Sequence, residues 1–345
     1  MALYLNKPSY LRSPILSVRV LARALGIGEQ DLRVLAQDAN RRYRTVKPEA
    51  GSTRQTFDAV GQLKVVHRRI KEVIFEQVYF PEYLHGSLKG RDYVTNAVPH
   101  TNKQLLICED VKKFFPSVQS GLVEDVWYGF FRFSPDVAKL LTALTTKDGA
   151  LPQGAITSSY IANLAMWRHE PLLHAKLADK GITYSRYVDD MAMSSSNHLS
   201  KEAQTWVIAQ VYGMLARHGL KAGRAKHEVF SATKPMIATK LIVNRKPSLS
   251  PQKRSQVRAQ VRQLELACVE GADASTVLAL ADKAAHRVGQ LGRFHATSAQ
   301  HLKQRVKAVR TQFPTESEPR ITYSNGAATK RKLETADETC PPWTD

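Results

Sequence analysis

Two adjacent aspartates, Asp189 and Asp190, lie in the middle of the strand-like stretch YSRYVDDMAMSS. Neighbouring carboxylates repel one another and resist removal from water unless a cation lies between or beside them. The surrounding segment alternates apolar and polar positions, which predicts a β-hairpin with the acids at its turn. A chain with this feature must bring a cation to the hairpin, or leave the two acids in an exposed polar turn.

A third carboxylate is predicted to meet this pair at Asp110. It follows the short apolar run 105–108, which is typical of a strand buried on both faces, where a lone charge is expensive. Such a cluster suits Mg²⁺, and two ions about 4 Å apart can activate an attacking hydroxyl and stabilise a leaving oxygen. These residues indicate metal-assisted phosphoryl chemistry, with a polymerase and a nuclease both open.

The charge of the chain indicates its partner. The 345 residues include 50 Lys+Arg against 31 Asp+Glu, a net charge of +19. A polyanion is therefore expected, because each phosphate contact releases condensed counterions. No apolar run approaches the roughly 18 residues of a membrane span, and the N-terminus does not resemble a secretory signal. The widely spaced Cys108, Cys268 and Cys340 fit a reduced protein, so we expect a cytoplasmic location.

Hydrophobic periodicity predicts where the helices and strands lie. The predicted elements are two short helices in 17–45, a helix over 60–80, a helix through 160–170, a helix over 202–219, two strands in 227–244 and helices from 250 onward. Ser250 is expected to cap the first of those last helices, with Pro251 in its first turn.

Five motifs, taken in order, resemble those of reverse transcriptases and span about residues 54 to 245. They are CEDVKKFF, LPQGAITSSYIANL, YVDD, HGLKAGRAK and IATKLIVN. The resemblance implies an α+β fold, the right-hand polymerase fold with fingers, a palm of antiparallel sheet plus helices, and a helical thumb. The expected division is N-terminal helices in 1–45, fingers in 46–104, palm in 105–244 with a fingers insertion at about 119–150, thumb in 245–312 and a flexible tail in 313–345.

The resemblance also implies roles for the acids and for one aromatic residue. Asp110, Asp189 and Asp190 would be the catalytic residues and the ligands of two Mg²⁺ ions. Phe115 resembles the steric gate that excludes a 2′-hydroxyl and so selects deoxynucleotides. Without the family, a Phe beside another Phe is more often a core residue.

Further nucleotide-binding residues follow from the same motifs. Gln153 and Gly154 would lie against the incoming nucleotide, although PQG alone is a common loop. Arg54 would clamp the triphosphate, with an exposed loop charge as the alternative. Lys226 would donate a proton to pyrophosphate, and Lys221 competes with it for that place in the motif.

Within the family the chain is most similar to the bacterial retron group. GRDYVTNAVPH contains its Asn-Ala-x-x-His signature, and RVGQLGRFH resembles its final thumb helix. One departure is Lys240, which stands where the family usually has glycine. The residues predicted to contact RNA are Asn96, His100, Lys240, Arg254, Arg258 and Arg262. Without the family they would be a capping Asn, a partly buried His and a solvated basic helix face.

The implied function is that of a retron-type RNA-directed DNA polymerase. It would bind a structured non-coding RNA, prime from a guanosine 2′-hydroxyl and use dNTPs to copy part of that RNA into RNA-linked single-stranded DNA. A separately encoded effector protein and a role in antiphage defence are expected. The alternatives are a reverse transcriptase of another lineage, intron-derived or diversity-generating, and a non-catalytic RNA-binding scaffold.

Overall fold

The computed structural model of the chain describes residues 6–47 and 54–313. The described residues divide into two compact units, of which the first ends at Pro247 and the second begins at Ser248. The predicted flexible tail lies outside the described residues except for Phe313. In these ranges no helix is both long enough and apolar enough to cross a membrane.

The first unit contains all the strands of the described chain and ten α-helices. The strands are β1 Ser9–Tyr10, β2 Tyr43–Val46, β3 Thr56–Ala59, β4 Val78–Tyr79, β5 Leu105–Asp110, β6 Ile182–Tyr187, β7 Asp190–Ser195, β8 Glu228–Ser231, β9 Ile237–Ala238 and β10 Leu241–Ile242. The helices are α1 Val18–Leu25, α2 Glu29–Asp38, α3 Gly61–Val73, α4 Tyr93–Ala97, α5 Phe114–Ser117, α6 Ser120–Asp125, α7 Pro135–Thr145, α8 Ser158–Leu164, α9 Glu170–Ala178 and α10 Lys201–Arg217.

Several single turns join these elements. Four are 3₁₀ turns and one is a π-helix, and their bounds are Ala39–Arg42, Phe75–Gln77, Val98–His100, Val126–Phe130 (the π-helix) and Arg224–Lys226. Each 3₁₀ turn covers only three or four residues, the length at which this tighter helix is normally used.

A four-stranded antiparallel sheet in the order β6-β7-β5-β8 positions the acids. β5 is buried along nearly its whole length, as its apolar run predicts, and it pairs with β7 so that Asp110 lies opposite Asp190. β6 and β7 form a hairpin in which Tyr187 pairs with Asp190, which leaves Val188 and Asp189 as the turn. The predicted hairpin is confirmed, with Asp189 in its turn and Asp190 at the start of β7.

Two helices are shorter than their sequence pattern predicts. The helix predicted over 60–80 ends at Val73, and its place is taken by a 3₁₀ turn that contains Phe75. Ile74 and Phe75, which follow the end of this helix, are both fully buried. The helix predicted through 160–170 ends at Leu164, and α9 begins a new helix with Pro171 in its first turn.

The second unit is built of three helices. They are α11 Pro251–Val269, α12 Ala274–Gly292 and α13 Ala296–Arg310. Their shared core consists of small and branched apolar side chains, which include Val257, Val261 and Leu264 of α11. Ser250 caps α11 as predicted, because its Oγ accepts a hydrogen bond from the Lys253 backbone N–H at 3.2 Å.

Candidate active site

The three predicted acids converge at one end of the central sheet. Asp110 is the last residue of β5 and Asp190 the first residue of β7, while Asp189 lies in the hairpin turn. The Val111 backbone N–H donates to the Asp189 carbonyl at 3.0 Å and so joins the turn to the end of β5. One carboxylate oxygen from each acid lies within 4.8 Å of those of the other two. The register of the sheet therefore produces the cluster that the sequence predicts.

Burial and mutual repulsion make this cluster costly without a cation. Burial, together with the charges of Asp189 and Asp110, raises the pKa of Asp190 to about 6. The pKa of Asp189 is also raised, first by burial and then by the charge of Asp110. Lys226 opposes this repulsion, since its Nζ donates to Asp110 Oδ1 at 2.6 Å.

The acids open onto a cleft of about 1260 Å³. Asp110 and Asp189 line this cleft. Four of the predicted nucleotide-binding residues line it as well: Arg54, Phe115, Gln153 and Lys226. The cleft therefore has basic side chains and an aromatic ring beside its carboxylates. This combination suits a ligand that carries both phosphates and a sugar.

Gly154 lies behind the wall of the cleft. Its φ is +106°, and a Cβ atom at this position would lie 2.8 Å from the carbonyl oxygen of Phe57. Next to it, the Gln153 carbonyl accepts a hydrogen bond from the Phe57 N–H at 2.7 Å. Glycine thus lets the PQG turn lie directly against β3.

Adjacent phenylalanines of α5 differ in their surroundings. Phe114 is a core residue with 2% of its surface exposed. Phe115 is partly buried and lines the cleft. The role of a core residue, which is the alternative that the sequence offers for Phe115, therefore fits Phe114 better.

Of the two competing lysines, Lys226 is the one whose ammonium contacts an acid. Lys221 also lines the cleft, and its carbonyl accepts a hydrogen bond from Lys112 at 2.8 Å. His227 anchors the segment, because its Nδ1 lies 2.6 Å from Oε1 of the buried Glu109. The sequence does not predict Glu109 and His227 as site residues. Each of them stands next to a predicted one, Glu109 beside Asp110 and His227 beside Lys226, and this was a usable signal.

The retron signature residues face the protein interior. Asn96 and His100 both have 0% of their surface exposed. His100 lies 2.7 Å from Ser185 Oγ on β6 and 2.7 Å from Ser194 Oγ on β7, and burial lowers its pKa to about 3. The capping residue of α4 is Asp92 rather than Asn96. In this structure neither signature side chain offers RNA a surface; His100 instead connects the two strands of the catalytic hairpin.

Lys240 lies in the tight turn between β9 and β10. Thr239 and Lys240 both have positive φ, at 44° and 70°, which is the conformation that glycine adopts most easily. The Thr239 hydroxyl donates to the Tyr93 carbonyl at 2.9 Å and fixes the turn against α4. Burial raises the pKa of Asp190, and the charge of Lys240 opposes that rise. Lys240 therefore acts electrostatically on the acid cluster.

The basic stripe belongs to the second unit. Arg258 and Arg262 are exposed on α11, and Arg254 is partly buried. Arg262 Nη1 lies 3.8 Å from Glu265, whose carboxylate is held more closely by Arg305, with two contacts of 2.7 Å. The stripe thus presents positive charge to solvent on one face of α11.

Acids at the ends of adjacent antiparallel strands, above a cleft lined by cations, fit metal-assisted phosphoryl transfer. The sequence pattern of the family described as "Reverse transcriptase (RNA-dependent DNA polymerase)" matches residues 46–264. The chain therefore belongs to the reverse transcriptase family and is an RNA-directed DNA polymerase. This membership excludes the non-catalytic scaffold.

Curated relatives place it in the bacterial retron group. The Retron Se72 reverse transcriptase of Salmonella heidelberg (strain 579083-10) is 36% identical over 74% of this chain and 69% of that protein. The Retron Ec48 reverse transcriptase of Escherichia coli is 26% identical over 86% and 77%. Among solved structures, an apo telomerase from Candida tropicalis truncated from its C-terminal domain is 13% identical over 55% of this chain and 44% of that one, with a TM-score of 0.35. That likeness is too small to define a fold.

Proposed function

We propose that this chain copies part of a structured non-coding RNA into single-stranded DNA and leaves that DNA linked to the RNA. The observation that carries the proposal is the convergence of Asp110, Asp189 and Asp190 at one end of a basic cleft. The retron names of the curated relatives support the choice of template and product.

The carboxylates fit divalent cations. Three carboxylate oxygens lie within 4.8 Å of one another, and such oxygens are the ligands that Mg²⁺ prefers. In this structure the Lys226 ammonium already lies against Asp110, which indicates that a positive charge is stabilised there. We assign Asp110 and Asp189 as ligands of two Mg²⁺ ions, with Asp190 as a ligand or as a support of its neighbours. When bound, the ions would activate the attacking hydroxyl and neutralise the leaving oxygen.

Other residues of the cleft would bind and orient the incoming deoxynucleotide. The Arg54 guanidinium matches the oxygens of a triphosphate. The Phe115 ring would fill the space that a ribose 2′-hydroxyl needs. Gln153 would lie against the nucleotide, and Gly154 would let the turn that carries Gln153 pack against β3. Lys226 Nζ would give its proton to the departing pyrophosphate.

Basic residues outside the cleft would bind the RNA backbone. The net charge of +19 supports a polyanionic partner. Arg254, Arg258 and Arg262 would contact phosphates, which position a nucleic acid without reading its sequence. Lys240, whose charge opposes the rise in the pKa of Asp190, would contact the RNA.

The biological role that we propose is the one that the resemblance to the retron group implies. The RNA would be encoded beside this chain, and the first nucleotide would join the 2′-hydroxyl of one of its guanosines. The enzyme would keep the branched product in the cytoplasm. With a separately encoded effector protein, this complex would act in defence against phage.

The test is to express the protein from its native flanking DNA, purify it and digest the bound nucleic acid with RNase and DNase separately. An Asp189→Asn variant is the matched control, because it removes one charge and preserves the shape of the side chain. The expected result is a short DNA covalently attached to RNA that appears with the wild type and disappears with the variant. A wild type that carries no such DNA, yet extends an annealed primer on RNA, would identify another lineage of reverse transcriptase.

A further inference from the structure

The turn that carries Asp189 is strained. A turn of two residues, Val188 and Asp189, closes the β6–β7 hairpin. Val188 has a φ of 58°, in the left-handed region that a β-branched residue rarely adopts. Such a residue keeps this conformation only where its surroundings hold it, and strain of this kind clusters at functional sites.

Arg186 holds this turn from inside the protein. Its side chain is fully buried, and its Nη1 donates to the Val188 carbonyl at 2.8 Å. The rest of the guanidinium is fixed in place, since Nε and Nη2 donate to the Glu170 carboxylate at 2.5 and 2.8 Å. Nη2 also donates to the Asn163 carbonyl at 3.0 Å. The carbonyl that Arg186 holds belongs to the peptide bond that leads into Asp189.

Gly86 packs closely against the same turn. A Cβ atom at Gly86, whose φ is +87°, would lie 2.5 Å from Val188 Cγ2 and 3.0 Å from the Val188 nitrogen. The Gly86 carbonyl accepts a hydrogen bond from Asn163 Nδ2 at 3.0 Å. Asn163 therefore connects Gly86 with Arg186, and both of these residues contact Val188.

We propose that Arg186, buried against Glu170, is the positioning residue of the catalytic turn and fixes Asp189 where it must hold a metal ion. The proposal rests on the assignment of Asp189 as a metal ligand. A buried ion pair adds little to stability compared with apolar side chains of equal volume, because both charges must leave water. Its contribution here is geometric: the planar guanidinium reaches the carboxylate and two backbone carbonyls at once, which a lysine cannot do.

The experiment compares three variants with the wild type. The first, Arg186→Gln combined with Glu170→Gln, removes both buried charges together. The second, Gly86→Ala, displaces Val188 and leaves the ion pair unchanged. Its matched control is Gly90→Ala, because Gly90 has a similar φ of +75° with nothing within 4 Å of the added Cβ. Mn²⁺ binding is measured by the electron paramagnetic resonance of the free ion, and kcat and KM for dNTP by primer extension on an RNA template.

We expect the Gln double variant and Gly86→Ala each to weaken Mn²⁺ binding about tenfold and to lower kcat about tenfold, with KM for dNTP within about twofold. Gly90→Ala should change neither quantity by more than about twofold. Folded Gln and Gly86→Ala variants, judged by circular dichroism, with wild-type Mn²⁺ binding and kcat would overturn the proposal. Losses of the same size in Gly90→Ala would overturn it as well. The cause would then be the strain of any alanine at a left-handed glycine position, and not the displacement of Val188. A wild type that binds Mn²⁺ without extending any primer would instead refute the proposed function.

Discussion

Replacing His100 with Gln tests whether this histidine is a neutral internal connection between the strands of the catalytic hairpin. Each of its ring nitrogens lies 2.7 Å from a serine hydroxyl, Ser194 on β7 and Ser185 on β6. Burial lowers its pKa from 6.5 to about 3. The folded protein therefore excludes a proton that the unfolded chain binds in mild acid.

The direction and the size of the effect follow from these pKa values. A histidine whose pKa is lower in the folded state contributes its full stability above the unfolded pKa of 6.5 and loses it as the pH falls toward the folded value. At about pH 5 the loss is about 2 kcal/mol relative to about pH 7.5, since each pH unit below the unfolded pKa costs about 1.4 kcal/mol. His67, whose pKa burial lowers to about 4, adds a similar loss in both proteins. Asp190, with a pKa raised to about 6, acts in the opposite direction in both.

The assay is urea unfolding at about pH 7.5 and about pH 5, followed by tryptophan fluorescence. Trp127, Trp167 and Trp206 all lie in the first unit, with His100. Between the two pH values the wild type should lose about 2 kcal/mol more unfolding free energy than His100→Gln. The control, His198→Gln at an exposed position, should follow the wild type. If the unfolding free energies of the wild type and His100→Gln depend equally on pH, His100 is not a neutral buried histidine.

Four further predictions concern the cleft and its rim. Asp189→Asn should abolish primer extension. It should also raise the melting temperature of the metal-free protein at neutral pH, because it removes one of three carboxylates that repel one another. An unchanged or lower melting temperature would contradict this reasoning. Phe115→Ala should reduce discrimination against ribonucleotides at least about tenfold in single-nucleotide incorporation. Unchanged discrimination would mean that Phe115 lines the cleft without selecting the sugar. Lys226→Ala should lower kcat about a hundredfold, while Lys221→Ala, the matched control, changes it by less than about threefold; the reverse order would reassign the proton donor. Lys240→Gly should raise the unfolding free energy by up to about 1 kcal/mol, because glycine relieves the strain of the left-handed backbone at this position. The same variant should bind RNA more weakly in a filter assay. A lower unfolding free energy would show that the backbone at Lys240 is not strained.

The sequence by itself determines the elements that carry the acids. The apolar run before Asp110 and the alternation around Asp189 and Asp190 are local patterns, and both favour strands. The cap at Ser250 is equally local, because it depends on the three residues that follow. These predictions hold in the structure for that reason.

The sequence pattern was less informative where burial decides the outcome. The helix predicted over 60–80 ends at Val73, and Ile74 and Phe75, which come after it, both enter the core. His100 is predicted to contact RNA, with a partly buried histidine as the alternative, and the two strands of the hairpin bury it completely. A one-dimensional pattern cannot show which polar side chain another element will cover.

Tertiary structure alone decided how the catalytic turn is supported. Arg186 contacts Glu170, which is 16 residues away, and the amide of Asn163 reaches the Gly86 carbonyl across 77 residues. Lys226 reaches Asp110 across 116 residues. Such contacts depend on the register of a whole sheet and on the burial that it creates. The acids themselves are therefore determined by the local sequence, and the geometry that makes them a site is determined by the fold.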